Sequence, residues 1–426
     1  MKKVVKSLIK PLIGTVEIPS DKSISHRAVM FASLAKGTSL IKNFSKGADC
    51  LSTVNVCSSL GVEINYLDDK TLEIVSSGKL TPSKTPFDCG NSGTTMRLMS
   101  GILAGQDFDS VLIGDKSLSK RPMKRVITPL SQMGANIKSN DYKAPLEIKG
   151  TKLNAIEYIS ELSSAQVKSC VLLAGMFAEG ETKFVEPAKS RDHTERMLEA
   201  MGANIQVQGN SVTIKSSQLN PINFSVPGDI SSAAFFIVAG LIVPDSDIIL
   251  TNVGVNPTRT GILDVVKRMG GNIELLNERE VLGEPVADIR IRYSKLSATE
   301  ISGAEIPRLI DELPVITVLA SQAEGQTIIK DAADLRNKEA DRISAVASAM
   351  KSIGADIIET PDGFIINGKT LLAGGVEVDT FHDHRLAMSY YVAGLISKDT
   401  VVIEGFEWTS ISFPEFEDLM ESLQND

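Results

Sequence analysis

Six short polar clusters in this chain stand directly ahead of apolar, helix-length stretches. The first holds Lys22, Ser23 and Arg27, and the second runs from Asn91 through Gly93 to Thr95 and Arg97. The third holds Ser163, Ser164, Gln166 and Lys168, the fourth Gly228 to Ser232, the fifth Asp311 and Glu312, and the sixth His384 and Arg385. A helix N-terminus presents unpaired N–H groups and about half a positive charge, so it favours phosphate or carboxylate before any side chain is counted. Cations, hydroxyls and amides added there point to a site for small anions, and carboxylates nearby could move protons.

The elements that must position these clusters recur. A β-type run, a polar cluster and an apolar stretch closing on Ala or Gly repeat at 18–37, 87–105, 159–180, 226–245, 306–325 and 381–397. Interleaved with them is Met-Gly-Ala-Asn-Ile or a near relative, with its glycine at Gly61, Gly134, Gly202, Gly270 and Gly354, spaced 73, 68, 68 and 84 residues apart. Such a period is too long for a solenoid unit and predicts α/β modules of βαβαββ type, each with two helices. Six of them fill the chain. The sixth ends on its final helix from Phe413, where the glycine marker and its strand should follow. The β-type runs ahead of Ser20 have no helix before them, so they are expected to complete that last repeat. Residues 1–20 and 229–426 would then form one discontinuous three-repeat domain and 21–228 a continuous one, with hinges near 19–21 and 227–229.

Composition excludes several classes. With 53 Asp plus Glu against 44 Lys plus Arg, net charge −9, the far field repels anions; clustered cations on such a chain indicate a local small-anion site and no nucleic-acid surface. No run reaches 18 uncharged apolar residues, and Pro11 with an alternating run follows the basic start, so neither a membrane span nor a signal peptide is expected. Cys50, Cys57, Cys89 and Cys170 form no CxxC or regular framework, which suits a reduced, cytoplasmic enzyme. Cys89 reads as a small core residue, and Ser231, Ser232 and Thr95 read as helix caps. His382 and His384 alternate on what reads as a strand edge without further His or Cys, so no metal is expected.

At five runs the pattern becomes specific: Lys22-Ser-Ile-Ser-His-Arg27, Asn91-Ser-Gly-Thr-Thr-Met-Arg97, Arg121-Pro-Met, Leu335-Arg-Asn-Lys338-Glu339-Ala-Asp341-Arg342 and Asp383-His-Arg385. In order and over essentially the whole chain, they resemble the 5-enolpyruvylshikimate-3-phosphate synthase family. The resemblance implies an inside-out α/β architecture of two three-repeat domains that close over the substrates. It implies transfer of the enolpyruvyl group of phosphoenolpyruvate to shikimate 3-phosphate with release of phosphate, by a monomer that needs no cofactor.

The resemblance also implies roles. Asp311 would take the hydroxyl proton, with Glu339 and Lys22 handling protons at the enolpyruvyl carbon. Lys22, Ser23, Arg27, Ser163, Ser164, Gln166, Arg191, Asp311 and Lys338 would hold shikimate 3-phosphate. Phosphoenolpyruvate would meet Lys22, Asn91, Gly93, Arg121, Gln166, Arg342 and Arg385. Lys338 and Arg342, four apart, are expected on one helical face. Arg121-Pro-Met-Lys-Arg125, Arg191-Asp-His-Thr-Glu195, Gly228-Asp-Ile-Ser-Ser232 and Asn256-Pro-Thr-Arg259 resemble the class II enzymes, associated with glyphosate tolerance. Leu98 and Ile411 depart from the class I pattern in the same sense, whereas Gly93 is retained where strongly insensitive members can carry alanine. Asp334 stands where class I enzymes have a substrate-contacting asparagine, so that contact is not transferred.

Three alternatives stay open at this point. A UDP-N-acetylglucosamine enolpyruvyl transferase usually carries a loop cysteine, absent from Gly114 to Met123, and Lys-Asn where this chain has Lys22-Ser23. An RNA-end cyclase would need a nucleotide-accepting histidine and a basic surface. A noncatalytic phosphosugar-binding protein would keep the arginines without needing Asp311 and Glu339 together.

Overall fold

The computed structural model describes residues 1–8 and 10–424. Its helices are α1 (Lys22–Leu34), α2 (Ala48–Ser59), α3 (Gly93–Ala104), α4 (Lys124–Gln132), α5 (Ala165–Gly175), α6 (His193–Ala200), α7 (Ile230–Ile242), α8 (Gly261–Arg268), α9 (Leu313–Ser321), α10 (Arg342–Ile353), α11 (His384–Gly394) and α12 (Phe416–Ser422). They are two per repeat. The chain divides into two compact units: Met1–Pro19, Pro227–Arg279 and Pro285–Asp426 form one, and Ser20–Val226 with Glu280–Glu284 form the other.

Each unit carries three small sheets. In the Ser20–Val226 unit the strand Asn223–Ser225 runs parallel to Lys36–Lys42, so the end of the third repeat supplies the leading strand of the first. In the other unit the N-terminus is split. Lys2–Val5 pairs antiparallel with Val401–Glu404 and completes the sixth repeat, as expected of a β-type run with no helix before it. Ile13–Glu17 instead runs parallel to Asp247–Gly254 in the fourth repeat, correcting the expectation that both N-terminal strands serve the last one.

Within each unit the odd-numbered helices lie innermost and the sheets flank them. All thirteen residues of α7 and all nine of α9 are buried, and so are ten of the eleven in α11. α7 and α9 are apolar on nearly every side because every face meets protein. Each buried Leu, Ile or Phe contributes about 1.5–3 kcal/mol, and Phe235, Phe236, Phe413 and Phe416 add edge-on ring contacts. In the Ser20–Val226 unit, α3 approaches α5 closely at Gly101, where an added Cβ would stand 2.2 Å from the Cys170 carbonyl oxygen.

The recurring glycine closes the second helix of five repeats. Gly61, Gly134, Gly202, Gly270 and Gly354 have φ between +84° and +119°, the left-handed geometry that stops a helix and turns the chain into the next strand. The apolar helices begin with matching economy. Asp21, Ser92, Asp229 and Asp383 accept the amides of Ile24, Thr95, Ser231 and Arg385. Ser231 and Thr95 are therefore capped residues and not caps.

Candidate active site

In the Ser20–Val226 unit the first three clusters occupy the N-termini of α1, α3 and α5. Arg27, one turn into α1, is 3% exposed. It donates from Nε to Thr194 Oγ1 at 2.7 Å, from Nη1 to the Ser23 carbonyl at 2.9 Å and from Nη2 to Ser169 Oγ at 2.8 Å. Every one of these acceptors is neutral. Burial accordingly lowers its pKa to about 10, more than the field of Glu195 restores. Three of the five guanidinium N–H groups are used, which leaves donors for an anion. Lys22 Nζ lies 2.9 Å from Asp49, a partner the sequence pattern did not reveal.

Asn91 links two elements: its Nδ2 donates to Asp115 at 2.8 Å and its Oδ1 accepts from Arg121 Nη2 at 2.8 Å. Gly93 opens α3 beside two guanidinium groups, since a Cβ there would stand 2.8 Å from Arg97 Nη1 and 3.6 Å from Arg121 Nη1. Arg97 donates to Gln166 Oε1 at 2.8 Å, and Gln166 Nε2 donates to Thr94 at 3.1 Å. The helix ends of α3 and α5 are thereby joined through Gln166, which was expected at phosphoenolpyruvate, and through Arg97 and Thr94, which were not assigned to it.

Two residues of the third cluster do other work. Ser163 Oγ donates to the Ala188 carbonyl at 2.7 Å and accepts from the Ala188 amide at 3.0 Å. Lys168 has no exposed surface; its Nζ sits 2.8 Å from Glu186 and 2.7 Å from Glu195. It is not a ligand-facing cation, contrary to its place in the motif. Ser164 caps α5 through its backbone alone.

The other unit gathers carboxylates around its arginines. Asp311 precedes α9 and lies 3.4 Å from Arg342 Nη1, 3.6 Å from Lys338 Nζ and 3.9 Å from Arg385 Nη2. Arg342 opens α10, is 1% exposed, and donates to Asp383 at 2.7 Å and to Glu339 at 2.7 Å. Burial opposes its charge, but Asp383, Glu339 and Asp311 more than offset that and drive its pKa up. Arg385 Nη1 reaches the Asp311 carbonyl at 3.3 Å and Glu312 Oε1 at 3.8 Å. In the fourth cluster, Arg259 Nη2 donates to Asp229 at 3.0 Å and to Ser231 Oγ at 2.6 Å, and Ser231 donates to Glu312.

Lys338 and Arg342 do not share a helix face. Lys338 is extended after a short 3-10 turn, and α10 begins only at Arg342 behind its N-cap Asp341. Both reach Asp311 because the chain turns between them. Lys338 also meets Asp334 at 3.5 Å. His384 starts α11 and His382 stacks edge-on against Trp408, so neither lies on a strand. No group of three metal-ligating side chains occurs among the described residues.

Residues 7–420 match the EPSP synthase (3-phosphoshikimate 1-carboxyvinyltransferase) family. This chain belongs to the EPSP synthase family. It is 52% identical over 419 residues to the 3-phosphoshikimate 1-carboxyvinyltransferase of Citrifermentans bemidjiense, covering 97% of each chain. The EPSP synthase structure from Acinetobacter baumannii superposes with a TM-score of 0.90 at 42% identity, covering 99% of this chain and 98% of that one. The enolpyruvyl transferase NikO from Streptomyces tendae, 15% identical with a TM-score of 0.81 over 99% of this chain and 97% of that one, shares the fold. That fold is the inside-out α/β architecture that the family resemblance implied.

Proposed function

We infer that this enzyme transfers the enolpyruvyl group of phosphoenolpyruvate to the 5-hydroxyl of shikimate 3-phosphate, releasing inorganic phosphate, in the shikimate pathway. The observation that carries the chemistry is Asp311, a carboxylate within 4 Å of Lys338, Arg342 and Arg385, with Glu339 on the same arginine. A carboxylate so placed can accept a hydroxyl proton as the oxygen bonds to C2 of phosphoenolpyruvate. Proton delivery to C3 and removal of a methyl proton as phosphate leaves fall to Glu339 and Lys22. Arg121, Arg342 and Arg385 hold phosphoenolpyruvate, with Asn91, Gly93 and Gln166. Lys22, Ser23, Arg27, Ser164, Gln166, Arg191 and Lys338 hold shikimate 3-phosphate. Charge-assisted hydrogen bonds of about 1.5–3 kcal/mol each suffice for small dianions.

The same reading makes the enzyme class II-like and less sensitive to glyphosate, on the strength of the runs around Arg121, Arg191, Gly228 and Arg259. It acts as a cytoplasmic monomer. Supporting the compartment, all four cysteines are free and buried, and burial pushes the Cys57 thiol up to about 11. No helix among the described residues is long and apolar enough to cross a membrane. Phosphate release measured with both substrates, and with each alone, tests the reaction. Release should require shikimate 3-phosphate and phosphoenolpyruvate together; its absence, or turnover of UDP-N-acetylglucosamine instead, would overturn the reading.

A further inference from the structure

Arg191 lies on the loop that joins the strand Glu181–Val185 to α6, and that loop is tied down from within. Lys168, on α5, sends its ammonium to Glu186 at the start of the loop, to Glu195 in the first turn of α6, and to the Ser190 carbonyl at 3.2 Å. Glu186 Oε1 also accepts the Ser190 amide at 2.9 Å, and its Oε2 accepts the Ser190 hydroxyl at 2.6 Å. Ser163, at the head of α5, holds the middle of the loop through both backbone groups of Ala188. The Pro187 carbonyl accepts from Asn210 Nδ2 at 3.1 Å.

Lys168 is 0% exposed, Glu186 3% and Glu195 2%, so this ion cluster exchanges nothing with solvent. Burying one lysine with two carboxylates is a poor way to gain stability, because desolvation consumes most of the attraction. It is an effective way to fix geometry, since no alternative loop conformation can leave a buried charge without its partner. Burial alone would lower the Lys168 pKa, but Glu195 and Glu186 outweigh it and keep the ammonium charged.

We propose that Lys168 is a positioning residue: through Glu186 and Ser190 it holds the Glu186–Asp192 loop in the one arrangement that presents Arg191 to the phosphate of shikimate 3-phosphate. This rests on the assignment of Arg191 to that substrate. The motif's third cluster thus contributes to phosphate binding through a residue that the ligand never touches.

The test is titration of the free enzyme with shikimate 3-phosphate by calorimetry, with KM for phosphoenolpyruvate and kcat at saturating shikimate 3-phosphate measured alongside. Lys168→Met should weaken shikimate 3-phosphate binding about tenfold, the loss of one charge-assisted anchor, with KM for phosphoenolpyruvate unchanged and kcat within about twofold. Ser190→Ala, which leaves the buried charges matched, should weaken binding severalfold and serves if Lys168→Met fails to fold. Ser190→Thr, retaining the hydroxyl, should restore affinity. The deciding comparison uses Arg191→Ala. In that background Ser190→Ala should cost nothing further, because the loop has nothing left to present; an additive loss would overturn the proposal. Unchanged affinity in Ser190→Ala would also overturn it, even where Arg191→Ala weakens binding. If Arg191→Ala itself binds normally, the assignment of Arg191 fails, and the positioning role falls with it.

Discussion

Two buried arginines at helix starts, one in each unit, are treated in opposite ways. Arg27 is held by Thr194, Ser169 and the Ser23 carbonyl, all neutral, and burial depresses its pKa to about 10. Arg342 is held by Asp383, Glu339 and Asp311, all anionic, and its pKa is driven up. The first arrangement leaves a positive charge to be neutralised by a ligand. The second matches the charge inside the protein, where it holds Asp383, Glu339 and Asp311 in fixed positions. On the proposed roles, one kind of helix start serves two tasks, anion capture and proton transfer, and the partners' chemistry distinguishes them.

The largest effect should come from the carboxylates that Arg342 organises. Asp311→Ala and Glu339→Gln should each lower kcat by about 100-fold to 10,000-fold, while calorimetry still detects shikimate 3-phosphate binding. The two lesions should separate in isotope exchange. If Glu339 handles the methyl proton, Glu339→Gln should suppress solvent deuterium entry at C3 more than Asp311→Ala does. Equal suppression would remove the division of labour.

Next come the arginines themselves. Arg342→Met strands three carboxylates around a buried site and should cost about 3–5 kcal/mol in urea unfolding. Arg27→Met leaves hydroxyls and a carbonyl short of a donor, a smaller penalty of about 1–3 kcal/mol, yet it should weaken shikimate 3-phosphate binding. Equal destabilisation by both would show that partner charge does not distinguish the two sites.

How far this contrast could be read from sequence is instructive. The repeat was legible because helix length and the polar start recur in all six repeats and the marker glycine in five, and a period needs no tertiary information. The spacing of Lys22, Arg27, Arg121, Arg342 and Arg385 within their motifs was legible as resemblance. What stayed hidden was who partners whom. Lys168 looks like Lys22 in sequence, but Glu186 and Glu195 arrive from 18 and 27 residues along the chain and bury it. Lys338-Glu-Ala-Asp-Arg342 reads as continuous helix, although Asp341 carried a usable warning: Asp, like Asp21, Asp229 and Asp383, is a strong N-cap. The second N-terminal run was read as a strand but given to the wrong repeat: it pairs with Asp247–Gly254, Asp247 facing Ile13, and a β-type run carries no mark of which partner it takes.

A smaller effect sharpens the Arg27 side of the comparison. His26 is wholly buried against Thr53 Oγ1, and burial first, then Lys22 and Arg27, lower its pKa to about 3 despite Asp49. The unfolded chain takes up a proton near pH 6.5 that the folded chain refuses. Stability should therefore be full above pH 6.5 and fall with acidification down to about pH 3, by at most about 1.4 kcal/mol per pH unit. Unfolding midpoints compared between pH 7 and pH 5 should show a shallower decline in His26→Gln than in the parent. Parallel curves would mean the imidazole titrates normally.

The smallest effect concerns Gly93, which opens α3 beside the Arg97 and Arg121 side chains. A Cβ at this position would stand 2.8 Å from Arg97 Nη1, too close to coexist with the present guanidinium position. The obstructing atom is the end of a flexible side chain, so Arg97 can retreat, but in doing so it stretches the 2.8 Å bond to Gln166. Gly93→Ala should fold normally and raise KM for phosphoenolpyruvate about fivefold, since a methyl to which a flexible neighbour can yield costs about 1 kcal/mol, the low end of the range for an added methyl in a pocket. Glyphosate is longer than phosphoenolpyruvate and must extend further past the same position, so its inhibition constant should rise by a larger factor. Inhibition constants and KM from one set of competition experiments give the ratio directly. A ratio that stays constant would mean the methyl perturbs Arg97 alone and leaves discrimination between the two anions to other residues.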